Sequence, residues 1–218
     1  MIRQYFEKAL FETNMRLSEK CITSFELYVA ELKKWNNKVN LTAICKDSDI
    51  VVKHLIDALF FISCVNTDDN VLDIGSGPGI PAIPLKIVKP DVRVVSVDAV
   101  NKKIMFQKHI SRLLEFYAFE ALHARVESLH STHAGSFDVI TSRAFSRLDL
   151  FVSLAAPLLK SGGRLIAMKG PEVLSEINGA GSILSSLGLE VSSITNYSLP
   201  MDKGNRSLVT ISAAKARK

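Results

Sequence analysis

Val71-Leu72-Asp73-Ile74-Gly75-Ser76-Gly77-Pro78-Gly79-Ile80 decides the reading of this 218-residue chain. An apolar run that suits a buried strand ends in a carboxylate, and a glycine-rich turn then opens a helix. Glycine has no Cβ and tolerates positive φ, so such a turn lets backbone approach a ligand closely. The helix that follows is expected to direct unpaired N–H groups at whatever the turn holds.

The spacing narrows the ligand. A dinucleotide fingerprint reads G-x-G-x-x-G. Gly75 and Gly77 fit it, but Ile80 stands at the third position, and the extra glycine is Gly79. Asp73 lies outside that pattern, and a buried acid needs a cationic or multiply donating partner. The ammonium of S-adenosylmethionine is one. D-x-G-x-G-x-G resembles the first motif of the class I methyltransferases, with an ordinary strand–turn–helix as the alternative. Downstream, Arg93-Val94-Val95-Ser96-Val97-Asp98 reads as a second strand ending in an acid. Asp98 has the spacing of a ribose-binding carboxylate, which suits S-adenosylmethionine and NAD equally. It also reads as a helix-initiating Asp, and Asn101 suits that cap as well.

The pattern around these motifs alternates strand and helix. Strands are expected at 71–74, 93–98, 120–124, 137–142 and 164–168, with helices at 81–88, 101–116 and 147–159. Gly162-Gly163 reads as a turn, Pro171 as a helix first turn, and Gly179 and Gly181 as interruptions of the helix after it. Residues 189–197 and 206–212 suit a final antiparallel pair. This order predicts an α/β fold with a mostly parallel sheet and helices on both faces. Upstream, 2–15, 19–36 and 48–62 read as helices. Cys21, Phe25, Tyr28, Leu32 and Trp35 make one apolar stripe, and Ser18 suits an N-cap. Residues 1–66 are therefore read as a helical extension packed on a Rossmann-like domain of residues 67–218. Ligands of such sheets bind beyond the carboxyl ends of the strands. Asp73, Asp98, Glu127, Ser142-Arg143 and Lys169 all fall there.

Composition bounds the function. Lys and Arg number 27 against 22 Asp and Glu, a net charge of +5. That is compatible with an RNA partner. Lys86, Lys89, Arg93, Lys102, Lys103, Lys108 and Arg112 form a basic segment, and Lys203, Arg206, Lys215, Arg217 and Lys218 a basic tail. Each suits a phosphate-rich substrate or a solvated face. Cys21, Cys45 and Cys64 lack C-x-x-C spacing, and the five histidines lack H-x₃-H pairing. No metal site and no disulfide frame are expected. No run suits a membrane span and the N-terminus has no signal-peptide pattern, so a cytoplasmic protein is expected.

Leu72–Leu85 closely resembles the first motif of the bacterial RsmG (GidB) family. Arg125-Val126-Glu127, Ser142-Arg143-Ala144-Phe145 and Met168-Lys169-Gly170 resemble that family further, as do Trp35-Asn36, Asn40-Leu41-Thr42-Ala43-Ile44 and His54-Leu55-Ile56-Asp57. The double-proline helix entry (Pro78, Pro81) and the S-R-A-F segment are the distinctive parts. The resemblance runs from about residue 25 to about residue 212. It implies S-adenosylmethionine-dependent methylation of N7 of one guanine, guanine 527, in 16S rRNA of the small ribosomal subunit. It also implies cofactor contacts at Gly75, Ile80, Val126-Glu127 and Arg143. A monomer is expected. The chain departs from the family at Ala99, Val100 and Lys103, at Leu55, Ile56 and Ala58, and at Ser207.

Guanine N7 carries a lone pair and no proton, so its methylation needs alignment and no general base. Asp73, Gly75, Gly77, Gly79, Ile80, Asp98, Val126, Glu127 and Arg143 are the candidate cofactor contacts. Arg143 and Lys169 are the candidate catalytic residues. A bidentate grip of Arg143 on O6 and N7 would occupy the attacking lone pair. Arg143 is therefore expected on the cofactor, on O6 alone or on a phosphate, or else in an ion pair with Asp138 or Glu127. Lys169 meets phosphate or lies as a surface lysine, Glu127 accepts from the adenine amine or starts a helix, and Phe145 stacks on a base or packs in the core. His54 and Asp57 are expected to tie the N-terminal helices to the sheet. Three other functions remain open: an NAD-dependent oxidoreductase, a non-enzymatic RNA-binding module and a small-molecule methyltransferase.

Overall fold

A computed structural model describes residues 2–143 and 146–214. Ala144, Phe145, Lys215, Arg217 and Lys218 lie outside the described residues. Strands Asn70–Ile74 (β1), Arg93–Asp98 (β2), Phe119–His123 (β3), Phe137–Arg143 (β4) and Leu159–Lys169 (β5) pair in parallel. Leu189–Ser198 (β6) and Asn205–Ala213 (β7) pair antiparallel, and β7 inserts beside β5. The sheet order is β3-β2-β1-β4-β5-β7-β6. The order reverses at β1, which sits between β2 and β4, so a crevice opens there beyond the strand ends.

Both faces of the sheet are covered, which is why the parallel strands read as nearly continuous apolar runs. Side chains alternate across the sheet. Val71, Val94, Val139 and Ile166 point to one core, and Leu72, Val97, Ile140 and Leu165 to the other. Helices Ile2–Thr13 (α1), Glu19–Val39 (α2), Asp47–Ile50 (α3), Asp57–Ile62 (α4) and Ala82–Val88 (α5) contribute to the first core, as do Phe106 and Ile110 of Asn101–Leu113 (α6). Leu148–Ala155 (α7) and Val173–Ser186 (α8) cover the second. In α2 the stripe residues Phe25, Tyr28 and Leu32 are fully buried, and Ser18 accepts the Cys21 N–H as its N-cap.

Several local expectations need correction. Residues 48–62 do not form a plain α-helix: a π-helical stretch, Val51–Ile56, separates α3 from α4. Gly162-Gly163 does not end a segment but lies within β5. The pairing jumps from Phe137↔Leu159 to Val139↔Arg164, so the extra residues bulge out. Gly162 takes φ +78°, and a Cβ on Gly163 would come 3.0 Å from the Asp138 and Lys160 carbonyl oxygens. α8 is continuous through Gly179 and Gly181, because Val173, Ala180 and Leu184 are buried in the second core, whose packing outweighs the weak propensity. Pro171 precedes its cap residue. Asn101 does not cap α6; Val100 holds that position without a side-chain bond.

Candidate active site at the carboxyl edge of the sheet

A first crevice of about 360 Å³ opens beyond β1 and β2, lined by Gly75, Asp98, Lys103, Val126 and Glu127 among others. Gly75 takes φ +67° at the turn. Asp98 is nearly buried: Oδ2 accepts the Gly77 N–H at 2.9 Å and Oδ1 the Val100 N–H at 2.8 Å. A carboxylate has about four acceptor sites, so its capacity is only half used. Lys103 Nζ stands 3.6 Å away. Glu127 is exposed beside buried Val126, at the start of the 3₁₀ stretch Val126–Ser131.

The backbone of the glycine turn is already committed. The Gly75 and Ser76 N–H groups donate to the Val97 carbonyl at 2.9 and 3.3 Å, and those of Gly79 and Ile80 to the Ser76 carbonyl, both at 2.9 Å. Asp98 takes the Gly77 N–H, and Asp73 takes the Ala82 N–H at the head of α5. The expectation of unpaired donors aimed at a ligand is thus corrected. A pyrophosphate cradle needs free N–H groups, and this turn offers none from Gly75 to Ile80. The arrangement disfavours a dinucleotide.

Asp73 is fully buried beneath the turn, and its Oδ1 has no hydrogen-bond partner. Burial pushes its carboxyl up to about 7, against the Ala82 N–H and the charge of Arg143, while Asp98 adds to the rise. Asp73 does not itself line the first crevice; it lies beneath the turn whose Gly75 does, and an acceptor without a donor there fits a ligand that brings a cationic donor. A Cβ on Gly77 would meet nothing within 4 Å. These features fit the methionine end of S-adenosylmethionine better than a phosphate.

Two side chains that sequence reading missed hold this turn. Gln107 of α6 is fully buried; its Nε2 donates to Ser76 Oγ and to the Gly77 carbonyl, both at 2.8 Å, and its Oε1 accepts from Ser96 Oγ. Tyr28 of α2 donates to the Pro78 carbonyl at 3.0 Å. Gly79 and Ile80 do not line the crevice. A Cβ on Gly79 would stand 2.4 Å from Ile83 Cδ1, so its role is close packing on α5, and the Ile80 side chain sits in the first core.

A second crevice, of about 530 Å³, opens beyond β4 and β5 and brings together Lys53, Asp57, Arg143, Lys169, Glu176 and Arg206. Arg143 is not paired with Asp138 or Glu127. Its Nη1 donates to the Lys53 carbonyl at 2.5 Å and stands 3.4 Å from Asp57 Oδ2, and its Nη2 lies 2.8 Å from His54 Nδ1. Asp138 instead pairs with Lys160. The guanidinium can only donate, so His54 Nδ1 accepts and the proton sits on Nε2, 3.1 Å from Thr42 Oγ1. Burial, reinforced by the Arg143 charge, drives the imidazole pKa down to about 3. Asp57 also accepts the Tyr197 hydroxyl at 2.7 Å. His54 and Asp57 do join the N-terminal helices to the sheet, through Arg143 and Tyr197. Lys169 is not a surface lysine: it is nearly buried, bound to Glu176 at 2.6 Å and to the Ser146 carbonyl at 2.7 Å.

The basic segment divides. Lys86 is buried and Nζ donates to the Pro90 and Val92 carbonyls, while Lys89 donates to the Val65 carbonyl. These two stabilise backbone and are unavailable to phosphate. Arg93, Lys102, Lys108 and Arg112 remain exposed.

The sequence pattern of a family described as rRNA small subunit methyltransferase G (GidB) matches residues 21–209. The chain is 46% identical to the ribosomal RNA small subunit methyltransferase G of Geobacter sp. strain M21, covering 96% of each. It is 35% identical to the protein of that name from Staphylococcus aureus strain bovine RF122, over 97% of this chain and 90% of the other. Among solved structures, it resembles a predicted O-methyltransferase from Agrobacterium tumefaciens (TM-score 0.60, 22% identity, 74% of this chain and 83% of that one). It also resembles M. jannaschii TYW2 in complex with AdoMet (TM-score 0.59, 13% identity, 72% and 74%). Those two likenesses bear on the fold, which is that of the class I methyltransferases. With the family pattern spanning most of its length and relatives matched nearly end to end, the chain belongs to the rRNA small subunit methyltransferase G family.

Proposed function

We propose that this chain transfers a methyl group from S-adenosylmethionine to N7 of a single guanine in 16S rRNA of the small ribosomal subunit, in the cytoplasm. One juxtaposition carries the reading. A crevice lined by Asp98 and Glu127, beside a glycine turn that covers an unsatisfied Asp73 oxygen, and a crevice lined by four cations open at the ends of adjacent strands, β1 and β4. The first suits a cationic nucleoside and the second an RNA strand.

When bound, the cofactor supplies an electrophilic methyl on a sulfonium. Asp73 answers the positive methionine end, Gly75 and Gly77 leave room at the turn, and Asp98 accepts from the ribose hydroxyls. Val126 packs against the adenine, and Glu127 accepts from its amine. Guanine N7 gains the methyl group and the positive charge, and no proton leaves it. The second crevice agrees with a reaction that needs no base. His54 is held neutral with Nδ1 engaged by Arg143, and Glu176 is paired with Lys169. Arg143 has three of its five N–H donors committed. The other two suit O6 or a phosphate, with N7 left free. Lys169 adds positive charge beside it.

The test is incubation with labelled S-adenosylmethionine and small-subunit particles lacking the modification, followed by mapping of the label. The expected product is one guanine labelled at N7. Label on an exocyclic amine or a pyrimidine carbon, or tight binding of NAD in place of S-adenosylhomocysteine, would overturn the proposal.

A further inference from the structure

A third crevice, also of about 530 Å³, lies on the β6–β7 side of the second and shares Arg206 with it. Tyr197 forms part of its wall while its hydroxyl reaches Asp57 in the second crevice. The two hollows therefore adjoin at Arg206. In the second crevice Lys53, Arg143 and Lys169 each have a carboxylate within ion-pair distance, namely Asp49, Asp57 and Glu176. Among the described residues Arg206 alone of the four has none; its Nη1 donates to the Asn205 carbonyl at 2.8 Å. A guanidinium with uncommitted donors where two hollows meet is suited to a bidentate phosphate contact.

The third crevice is polar in a particular way. Ser207 Oγ donates to Asn196 Oδ1 at 2.7 Å and Ser198 Oγ to Asn205 Oδ1 at 2.9 Å. Each amide therefore has its acceptor occupied and its N–H donors uncommitted among the described residues. Exposed Leu174 and Ile194 supply apolar surface beside them. Donors for base acceptors next to an apolar platform suit an unstacked base of single-stranded RNA.

We propose that the third crevice receives the nucleotide adjacent to the acceptor guanosine, with Arg206 on the phosphodiester joining the two. This rests on the rRNA reading above. The test measures methyl transfer to small-subunit particles lacking the modification, across a salt series, for wild type, Arg206→Ala and Leu174→Glu, together with S-adenosylhomocysteine affinity. Arg206→Ala is expected to raise the KM for the particle roughly tenfold or more. It is also expected to reduce the salt slope by about one phosphate contact. Leu174→Glu, on an exposed side chain, is expected to raise the same KM through repulsion of the strand. Unchanged S-adenosylhomocysteine affinity in both variants reports an intact fold. Wild-type KM and salt slope in both variants would overturn the proposal. An effect of Arg206→Ala without one of Leu174→Glu would confine the contact to the second crevice and overturn the assignment of the third. Absence of transfer by the wild type would instead bring down the rRNA reading itself, and this proposal with it.

Discussion

The Tyr28 hydroxyl donates to the Pro78 carbonyl oxygen at 3.0 Å, so an N-terminal helix holds the glycine turn directly. Tyr28 is fully buried, and its ring lies 5.8 Å from that of Phe106 in α6. The N-terminal helices therefore do more than cover apolar surface: they hold the glycine turn whose Gly75 lines the first crevice.

Removing that hydroxyl isolates the contribution. Tyr28→Phe keeps the packing and leaves the Pro78 carbonyl without its donor, which costs about 1–3 kcal/mol. Urea unfolding should show that loss, and isothermal titration should show weaker S-adenosylhomocysteine binding as the turn loosens. Wild-type affinity in a folded Tyr28→Phe protein would separate the N-terminal helices from the cofactor crevice.

If Asp73 answers the cationic end of the cofactor as proposed, ligand binding should depend on pH. Its carboxyl is pushed up to about 7 by burial, against about 3.9 in an unfolded chain. Between those values the native state holds a proton that the unfolded state has released. Its contribution to stability is therefore full below about pH 4 and is lost as pH rises through about 7. A cationic ligand favours the ionised form, so S-adenosylhomocysteine affinity should rise from pH 6 to 8. Asp73→Asn should abolish that rise and remove the loss of stability over the same window. A binding constant independent of pH in the wild type would show that Asp73 does not answer the ligand's ammonium.

The glycines of the turn should fail in different ways. Gly79→Ala forces a methyl group to within 2.4 Å of Ile83 Cδ1 at φ +89°, so it should destabilise the fold by about 1–3 kcal/mol. Gly75→Val places a branched side chain at φ +67° on the crevice wall. It should abolish S-adenosylhomocysteine binding and cost about 1–2 kcal/mol in backbone strain. Thermal unfolding with and without ligand distinguishes the two. A Gly75→Val protein that is stabilised by ligand as the wild type is would remove Gly75 from the site.

What the sequence disclosed follows from which physical signals are local. The stripe through Phe25, Tyr28 and Leu32, the β1 and β2 runs and the glycine turn are periodic or compositional, so they were readable. Lys86 was misread as part of a surface cluster because α5 is buried between the sheet and the N-terminal helices, a fact set by tertiary packing and not by spacing. Gln107 carries no sequence signal of its role: only the turn folded over it, whose Ser76 hydroxyl and Gly77 carbonyl it bonds, shows it to be buried. The π-helical stretch at Val51–Ile56 has no residue signature. Yet it supplies His54 and the Lys53 carbonyl to Arg143, so the partners of that arginine were out of reach.

Arg143 and His54 offer the sharpest separation of the two crevices. The family resemblance puts Arg143 on the cofactor, whereas its guanidinium lines the second crevice beside Lys169. Arg143→Gln should therefore reduce methyl transfer to rRNA far more than it weakens S-adenosylhomocysteine binding. It should also leave a signature at His54. The wild-type imidazole, with its pKa depressed to about 3 against about 6.5 unfolded, stabilises the fold above pH 6.5, and that contribution is lost as pH falls through 3. Without the guanidinium the imidazole takes up a proton at higher pH, as nuclear magnetic resonance of its ring protons would show, and the acid-side loss of stability shrinks. A variant in which ligand affinity falls as far as transfer, with His54 titrating as in the wild type, would return Arg143 to the cofactor and leave the second crevice without its central donor.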